Sequence, residues 1–478
     1  LSPVFHALAL NDKVSSLTGE PFMNLSHLLN ERAVQDRPLR VGLIGAGKFG
    51  TMFLSQVRLT PGMHLLGVAD LDVVRTKASL IETGWSPEQI SATSAAKALS
   101  QGTTWITEDS DALINAGGLD VVIEATGVPE AGIIHALAAF ERGRHVVMVN
   151  VEADVLCGPY LKEKADAAGV VYSLAYGDQP SLIAEQVDWA RAIGLEVVAA
   201  GKGTLYMPEF HASTPDTVWD YYGLTAERAA ASGMNAKMFN SFLDGTKSAI
   251  EMAAVANACD LNVPAGGLAF PPCSTSQLAS TLIPSSAGGI LDGKGMVEVV
   301  SSRTREGIDI PDDLRWGVYV TFEAPTEYVK RCFADYGLLT DPSGQYAALW
   351  RPYHLIGLEL GVSVAWAGLL NLPTGAPRAW NGDVVAVAKC DLEAGETLDG
   401  EGGYTVWGRL MTASDSRDAD AVPIGLAHGI ALKHPLPKDA VICWSDVEAP
   451  IDSVAYRTRR EMEATIATSH TTSTSGTA

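Results

Sequence analysis

Between residues 39 and 176 the apolar positions gather into short runs separated by glycine-bearing turns. Residues 41–44, 64–69, 119–127, 145–150 and 170–173 are such runs. Apolar stretches of this length without polar alternation predict strands buried on both faces. Residues 51–57, 131–142 and 161–168 lie between them and carry helical spacing. Strand and helix in regular alternation predict an α/β unit, a doubly wound parallel sheet with ligands beyond the carboxyl ends of its strands.

The pattern changes twice further on. In residues 177–379 a helix is expected near 182–193, a strand at 196–200 and a turn at 201–204. Gly-, Ser- and Pro-rich loops follow, then a hinge at 351–359 and an apolar helix through Leu370. This reads as an α+β domain. In residues 380–450 the strand 383–392 runs into an acidic glycine turn at 393–396, and a related pattern recurs at 429–432 and 437–444. A small β-rich domain is expected there. Residues 1–38 form an N-terminal extension with a short helix around 22–29. Residues 451–478 form a tail whose Ser/Thr-rich last ten or so residues are expected to be disordered.

The first glycine-bearing turn carries the sharpest chemistry. Gly45, Gly47 and Gly50 follow the first strand, flank Lys48 and Phe49, and open a helix. Gly45 permits the tight turn, Gly47 lets backbone approach a pyrophosphate, and Gly50 lets helix pack on strand. The second strand ends at Asp70, where a carboxylate can bind a ribose 2′-hydroxyl. Thr126, Gly127 and Asn150 end later strands on the same edge. Asp70 favours NAD(H), whereas Arg75 and Lys77 could pair with the 2′-phosphate of NADP(H).

Charge narrows the partners. A net charge of −22 disfavours nucleic acid and anionic membranes as the main partner. The six cysteines are scattered, without zinc spacing, and no apolar run approaches the ~20 residues that span a bilayer. A cytoplasmic protein acting on a small molecule is expected, with a homo-oligomer left open. Lys202, at the end of a predicted strand, is either a substrate cation or a solvated turn residue. Asp244 and Lys247, spaced i and i+3, would share one helix face and offer acid and cation together. Lys237 and Asn240 either line a pocket or sit on a wet helix face. His354, beside Arg351 and Tyr353, is a candidate acid or base. Glu124 and Lys389 read as structural.

Several of these motifs match known families. Residues 41–260 resemble homoserine dehydrogenase: the glycine fingerprint, Val149-Asn150, Gly177-Asp178-Gln179-Pro180, Gly203-Thr204, and Leu243-Asp244-Gly245-Thr246-Lys247. Asp244 and Lys247 are the residues the resemblance carries over. The lysine that follows the strand-end asparagine in that family is replaced here by Val151-Glu152. Residues 383–447 resemble a SAF domain. Together with the Arg351-Pro352-Tyr353-His354 hinge, residues 39–450 look most like the DXR-like proteins, a second class of 1-deoxy-D-xylulose 5-phosphate reductoisomerase. That resemblance implies NADP(H), a phosphorylated hydroxy-ketone and an Mg²⁺ or Mn²⁺ ion, for which Asp178, Glu185 and Glu209 are the candidate ligands. A simple dehydrogenase of a small polyol, hydroxy acid or homoserine-like alcohol is the alternative. A non-catalytic, dinucleotide-responsive binding protein is a second.

Overall fold

The computed structural model describes residues 24–231 and 234–474. The apolar runs of the first third form six strands: Leu39–Ile44 (β1), Met63–Ala69 (β2), Trp105–Thr107 (β3), Val121–Glu124 (β4), His145–Met148 (β5) and Tyr172–Leu174 (β6). Their order is β3-β2-β1-β4-β5-β6, and every neighbouring pair is parallel. Val122 and Val146 enter one core, while Val121, Ile123 and Val147 enter the core on the opposite face. This is the doubly wound sheet that uninterrupted apolar runs require. The strand order reverses between β1 and β4, so the loops after them diverge and leave a crevice at the carboxyl edge.

The middle of the chain builds a second sheet from Glu196–Thr204 (β7), Met296–Ser301 (β8), Val318–Glu323 (β9) and Tyr346–Arg351 (β10), in the order β10-β9-β7-β8. β7 runs parallel to β8 and antiparallel to β9. The turn expected at 201–204 is instead the end of β7. Its glycines serve close packing: a Cβ on Gly201 would strike the Glu298 carbonyl, and one on Gly203 the Leu314 carbonyl. Helix Thr246–Cys259 is buried almost throughout and packs on helices Val151–Ala167 and Gln179–Ala192.

The C-terminal part is β-rich as expected. Gly382–Ala388 (β11) pairs antiparallel with Val406–Thr412 (β13), and Thr397–Asp399 (β12) with His428–Ala431 (β14). It is fastened to helix Thr246–Cys259: Asn257 Nδ2 donates to the Gly382 carbonyl (3.1 Å), and the Gly408 N–H donates to Thr246 Oγ1 (2.8 Å).

Three expectations are corrected at element level. The helix expected at 161–168 spans Val151–Ala167, with Pro159 inside it. Its start is set by Asn150, which caps the first turn by accepting from the Ala153 N–H (3.1 Å), and Glu152 and Asp154 suit the helix dipole. The tail holds the helix Val454–Thr474, which takes in the first part of the Ser/Thr-rich end expected to be disordered; residues 475–478 lie outside the described residues. The N-terminal helix is Leu25–Val34, capped by Asn24; Phe22 and Met23 lie outside the described residues. No described helix is long and apolar enough to cross a membrane.

Candidate functional site

The glycine turn after β1 is shaped for a phosphate. Gly45 has φ +93°, and a Cβ there would lie 2.6 Å from the Ala125 backbone. A Cβ on Gly50 would strike the Gly45 carbonyl, but one on Gly47 would meet no protein atom within 4 Å. Gly47 is the N-cap of helix Lys48–Val57, and among the described residues no side chain caps that helix. A helix N-terminus without a side-chain cap is the kind of place that can hold an anion. Lys48 is exposed and Phe49 half-buried beside them.

Asp70 stands next to this turn. Its carboxylate accepts from the backbone N–H of Ala46 (2.7 Å) and of Asp72 (2.9 Å) and from Arg75 Nη2 (3.0 Å). Burial works to raise its carboxyl, but the two backbone donors and Arg75 outweigh it and hold it below the usual range. Arg75 is thus held beside Asp70 at the carboxyl end of β2. Gly127 has φ +69° in the loop after β4, and Thr126 Oγ1 donates to Glu124 Oε1 (2.5 Å). Asn150 is buried and donates to the Val128 carbonyl (2.9 Å), so it ties the loops after β4 and β5 together.

A second group of charges lies where this edge meets helix Thr246–Cys259 and β7. Lys247 and Glu251 are one turn apart on that helix. Lys247 Nζ pairs with Glu152 Oε1 at 2.5 Å, and Lys202 Nζ pairs with Glu251 Oε2 and donates to Gln179 Oε1 (2.9 Å). Asp178 caps helix Gln179–Ala192, accepting from the Gln179 N–H (2.9 Å) just beyond β6. Burial and then Glu251 push its carboxyl up to about 6, against Lys247 and His354. Burial works to lower the Lys247 ammonium, but Glu152, Glu251, Glu401 and Asp178 together drive it well above the ordinary range. Glu401 comes from the C-terminal β domain, where it accepts a hydrogen bond from Ser241 Oγ. Two lysines and four carboxylates, contributed by all three parts of the chain, therefore share one partly buried locus.

The segment after β10 links both sheets to this locus. Gly357 (φ +79°) leaves no room for a Cβ against the Phe49 carbonyl (2.6 Å), and Gly177 (φ +94°) leaves none against the Leu355 carbonyl (2.9 Å). His354 Nδ1 donates to the Trp316 carbonyl (2.8 Å), leaving Nε2 as its available nitrogen.

Some expected partnerships do not form. Asp244 and Lys247 do not act as an i,i+3 pair. Gly245 takes φ +89° and the helix begins at Thr246, so Asp244 sits before it and pairs with the buried Lys389 (2.7 Å). Lys237 donates to the Asp399 carbonyl (2.7 Å), and Asn240 is buried against Ser213 and Gly402. Both brace the C-terminal domain rather than line the charged locus. The three candidate metal ligands lie apart. Glu185 is exposed and accepts from Tyr176 (2.8 Å), and Glu209 borders a separate cavity of about 270 Å³ with His211 and Trp407. Among the described residues no three His, Cys, Asp or Glu side chains are placed to hold a metal ion. Sequence reasoning missed Glu152, Glu251 and Glu401. The spacing of Glu251 four residues after Lys247 was a usable signal; nothing local marked Glu401.

Residues 177–360 match the family model described as oxidoreductase DRL, catalytic domain. The middle of the chain, less than half of the 478 residues, is thus similar to an oxidoreductase catalytic domain. No curated protein matches the chain. Among solved structures, the chain is similar to a myo-inositol dehydrogenase from Corynebacterium glutamicum (14% identity, 38% of this chain and 48% of that one, TM-score 0.27). It is also similar to the WlbA dehydrogenase from Bordetella pertussis, solved with NADH and UDP-GlcNAcA (18% identity, 40% and 48%, TM-score 0.26). A third is a levoglucosan dehydrogenase in complex with NADH (21% identity, 37% and 46%, TM-score 0.25). The matched part spans about half the length of each of these proteins.

Proposed function

We propose that the protein is an NAD(P)-dependent oxidoreductase that interconverts a hydroxyl and a carbonyl on a small polyhydroxylated substrate. The observation that carries this is the meeting of the uncapped glycine turn's sheet edge with the Lys202–Glu251 and Lys247–Glu152 pairs. Gly45, Gly47, Gly50 and the first amides of helix Lys48–Val57 would hold the pyrophosphate, and Asp70 with Arg75 the adenosine ribose. When bound, the dinucleotide supplies the hydride acceptor or donor.

The chain's own residues do the rest. Lys247 stays protonated among its carboxylates, so it donates to the substrate oxygen and favours negative charge developing there. A permanently charged ammonium cannot take the hydroxyl proton. Asp178, its carboxyl pushed up to about 6 by burial and Glu251, accepts that proton in oxidation and returns it in reduction. Both lysines already face carboxylates, and the excess of negative charge favours a neutral substrate with hydroxyl donors over a phosphorylated one. The rearranging reductoisomerase reading needs in addition an oxygen cage for a divalent cation; the placement of Asp178, Glu185 and Glu209 lends it less support than it lends a simple dehydrogenase.

The test is NAD(P)⁺ reduction with a panel of small polyols and hydroxy acids, run beside NADPH oxidation with 1-deoxy-D-xylulose 5-phosphate and Mg²⁺ or Mn²⁺. Turnover of a polyol, lowered by on the order of 10²-fold or more in Lys247→Met while dinucleotide affinity is kept, supports the reading. Dinucleotide binding with turnover of no panel member counts against it. Metal-dependent formation of a branched product replaces it with the reductoisomerase.

A further inference from the structure

The loop between β12 and β13 belongs to the C-terminal domain by sequence but is built into the middle of the molecule. Asp399 organises it, accepting from the N–H of Tyr404 (2.6 Å) and of Thr405 (3.0 Å) and from Thr405 Oγ1 (2.5 Å). Helix Ala236–Leu243 then grips it from outside. Lys237 Nζ donates to the Asp399 carbonyl (2.7 Å) and Asn240 Nδ2 to the Gly402 carbonyl (3.0 Å), while Lys389 Nζ donates to the Gly403 carbonyl (2.7 Å). At Gly402 (φ +65°) a side chain would strike the Lys237 carbonyl. A loop fixed at this many points presents one acidic side chain, Glu401, to Ser241 and the Lys247 locus. Glu401 and Glu152 also line the same narrow cleft, with Ile250 and Ile424 among its apolar walls.

We propose that Glu401, delivered by the C-terminal β domain, is a second proton-holding group of this site and tunes the field that Lys247 exerts on substrate; its catalytic part rests on the oxidoreductase reading above. Glu401 is a positioning residue, because it works through Lys247. The charged groups facing it are Glu152 from the start of helix Val151–Ala167, Lys247 from helix Thr246–Cys259 and Asp244 from the end of helix Ala236–Leu243. Asp383, paired with Arg459, borders the same cleft. Burial and Glu152 push the Glu401 carboxyl up to about 7, against Lys247 and the Ser241 hydrogen bond. A protonated Glu401 leaves Lys247 facing three carboxylates rather than four. Its ammonium then acts more strongly on an oxygen gaining negative charge. As pH rises and Glu401 gives its proton to solvent, only its O–H bond breaks, and the added charge cancels part of the Lys247 field. Alcohol oxidation then has two limbs. The rate rises as Asp178 loses its proton and falls as Glu401 loses its own.

Two readouts separate this proposal from the activity itself. The first needs no substrate: infrared difference spectra follow protonated carboxyl groups across neutral pH in the full-length protein. A carboxyl band that disappears on titration in wild type, is missing in Glu401→Gln, and titrates at lower pH in Glu152→Gln is the expected result. Bands unchanged in Glu401→Gln overturn the proposal, because the proton then sits on another buried acid. If Glu401→Gln does not fold, the Glu152→Gln shift decides the matter alone. The second readout is the pH profile of turnover with a substrate found as above. Glu401→Gln mimics the protonated acid. It should match wild type within a few-fold on the acid side and exceed it by on the order of tenfold above about pH 8. A falling alkaline limb retained in this variant overturns the catalytic role. Absence of turnover by wild type on every substrate defeats the oxidoreductase reading and leaves the infrared result to decide whether Glu401 holds the proton.

Discussion

At the scale of single residues, the three fingerprint glycines do different work, and that difference is measurable. Gly50 is glycine because the Gly45 carbonyl occupies the space of a side chain, and Gly45 because its φ of +93° and the Ala125 backbone exclude one. Gly47 has ordinary φ and open space around its missing Cβ. Nothing among the described residues demands glycine there, and on the function proposed above the open space is where a phosphate would sit. Gly50→Ala should cost about 1–3 kcal/mol through overpacking, read as a lower denaturation midpoint. Gly47→Ala should leave that midpoint unchanged yet weaken NAD(P)(H) binding by tenfold or more in fluorescence titration. A Gly47→Ala protein that binds dinucleotide as tightly as wild type would remove the phosphate role from this turn.

At the scale of elements, the helix Val454–Thr474 is tied to the body through Arg459. Arg459 is 1% exposed, pairs with Asp383 Oδ2 at 2.5 Å and with Glu463 at 2.7 Å, and donates to the Leu156 carbonyl (3.1 Å). It joins the last helix to β11 and to helix Val151–Ala167. Removing it leaves Asp383 buried without its counter-ion. Arg459→Met should therefore cost about 3–5 kcal/mol, with faster amide exchange throughout the last helix. Unaltered exchange there would mean that apolar contacts alone seat the helix. This element also marks the limit of what the sequence discloses. The parallel sheet is legible because its strands are continuous apolar runs, and the glycine turn because its residues are contiguous. The last helix was read as tail because its holding contacts lie far away in the chain. The charged locus was half legible for the same reason. Lys202, Lys247 and Asp178 carry local signals, while Glu152 and Glu401 acquire their meaning from tertiary contacts. Asp244 misled because periodicity assumes a continuous helix, which Gly245 interrupts.

For the molecule as a whole, the buried acids set how stability depends on pH. Burial lifts the carboxyls of Asp154, Glu298 and Glu401 to about 7 and that of Asp178 to about 6. Unfolded, each would lose its proton near pH 4. Between that value and the folded one, the native state binds more protons than the unfolded chain, so stability falls as pH rises through the window. Asp70, Asp341 and Asp399 are held low by their hydrogen bonds despite burial, and the stability they contribute is lost only on further acidification. The melting temperature should therefore rise as pH is lowered from about 8 to about 5, and fall again in stronger acid. A net charge of −22 adds self-repulsion of the same sign, but the two contributions respond differently to salt. Repulsion between surface charges fades once the screening length drops to a few ångströms, whereas the cost of ionising a buried acid does not. Asp154 isolates that cost. It accepts from Tyr172 (2.7 Å), and among the described residues its second oxygen is buried without a hydrogen-bond partner. Asp154→Asn should flatten the slope between about pH 5 and pH 8 at high salt as well as low. A slope that vanishes in salt, and that Asp154→Asn does not alter, would assign the pH dependence to surface charge alone.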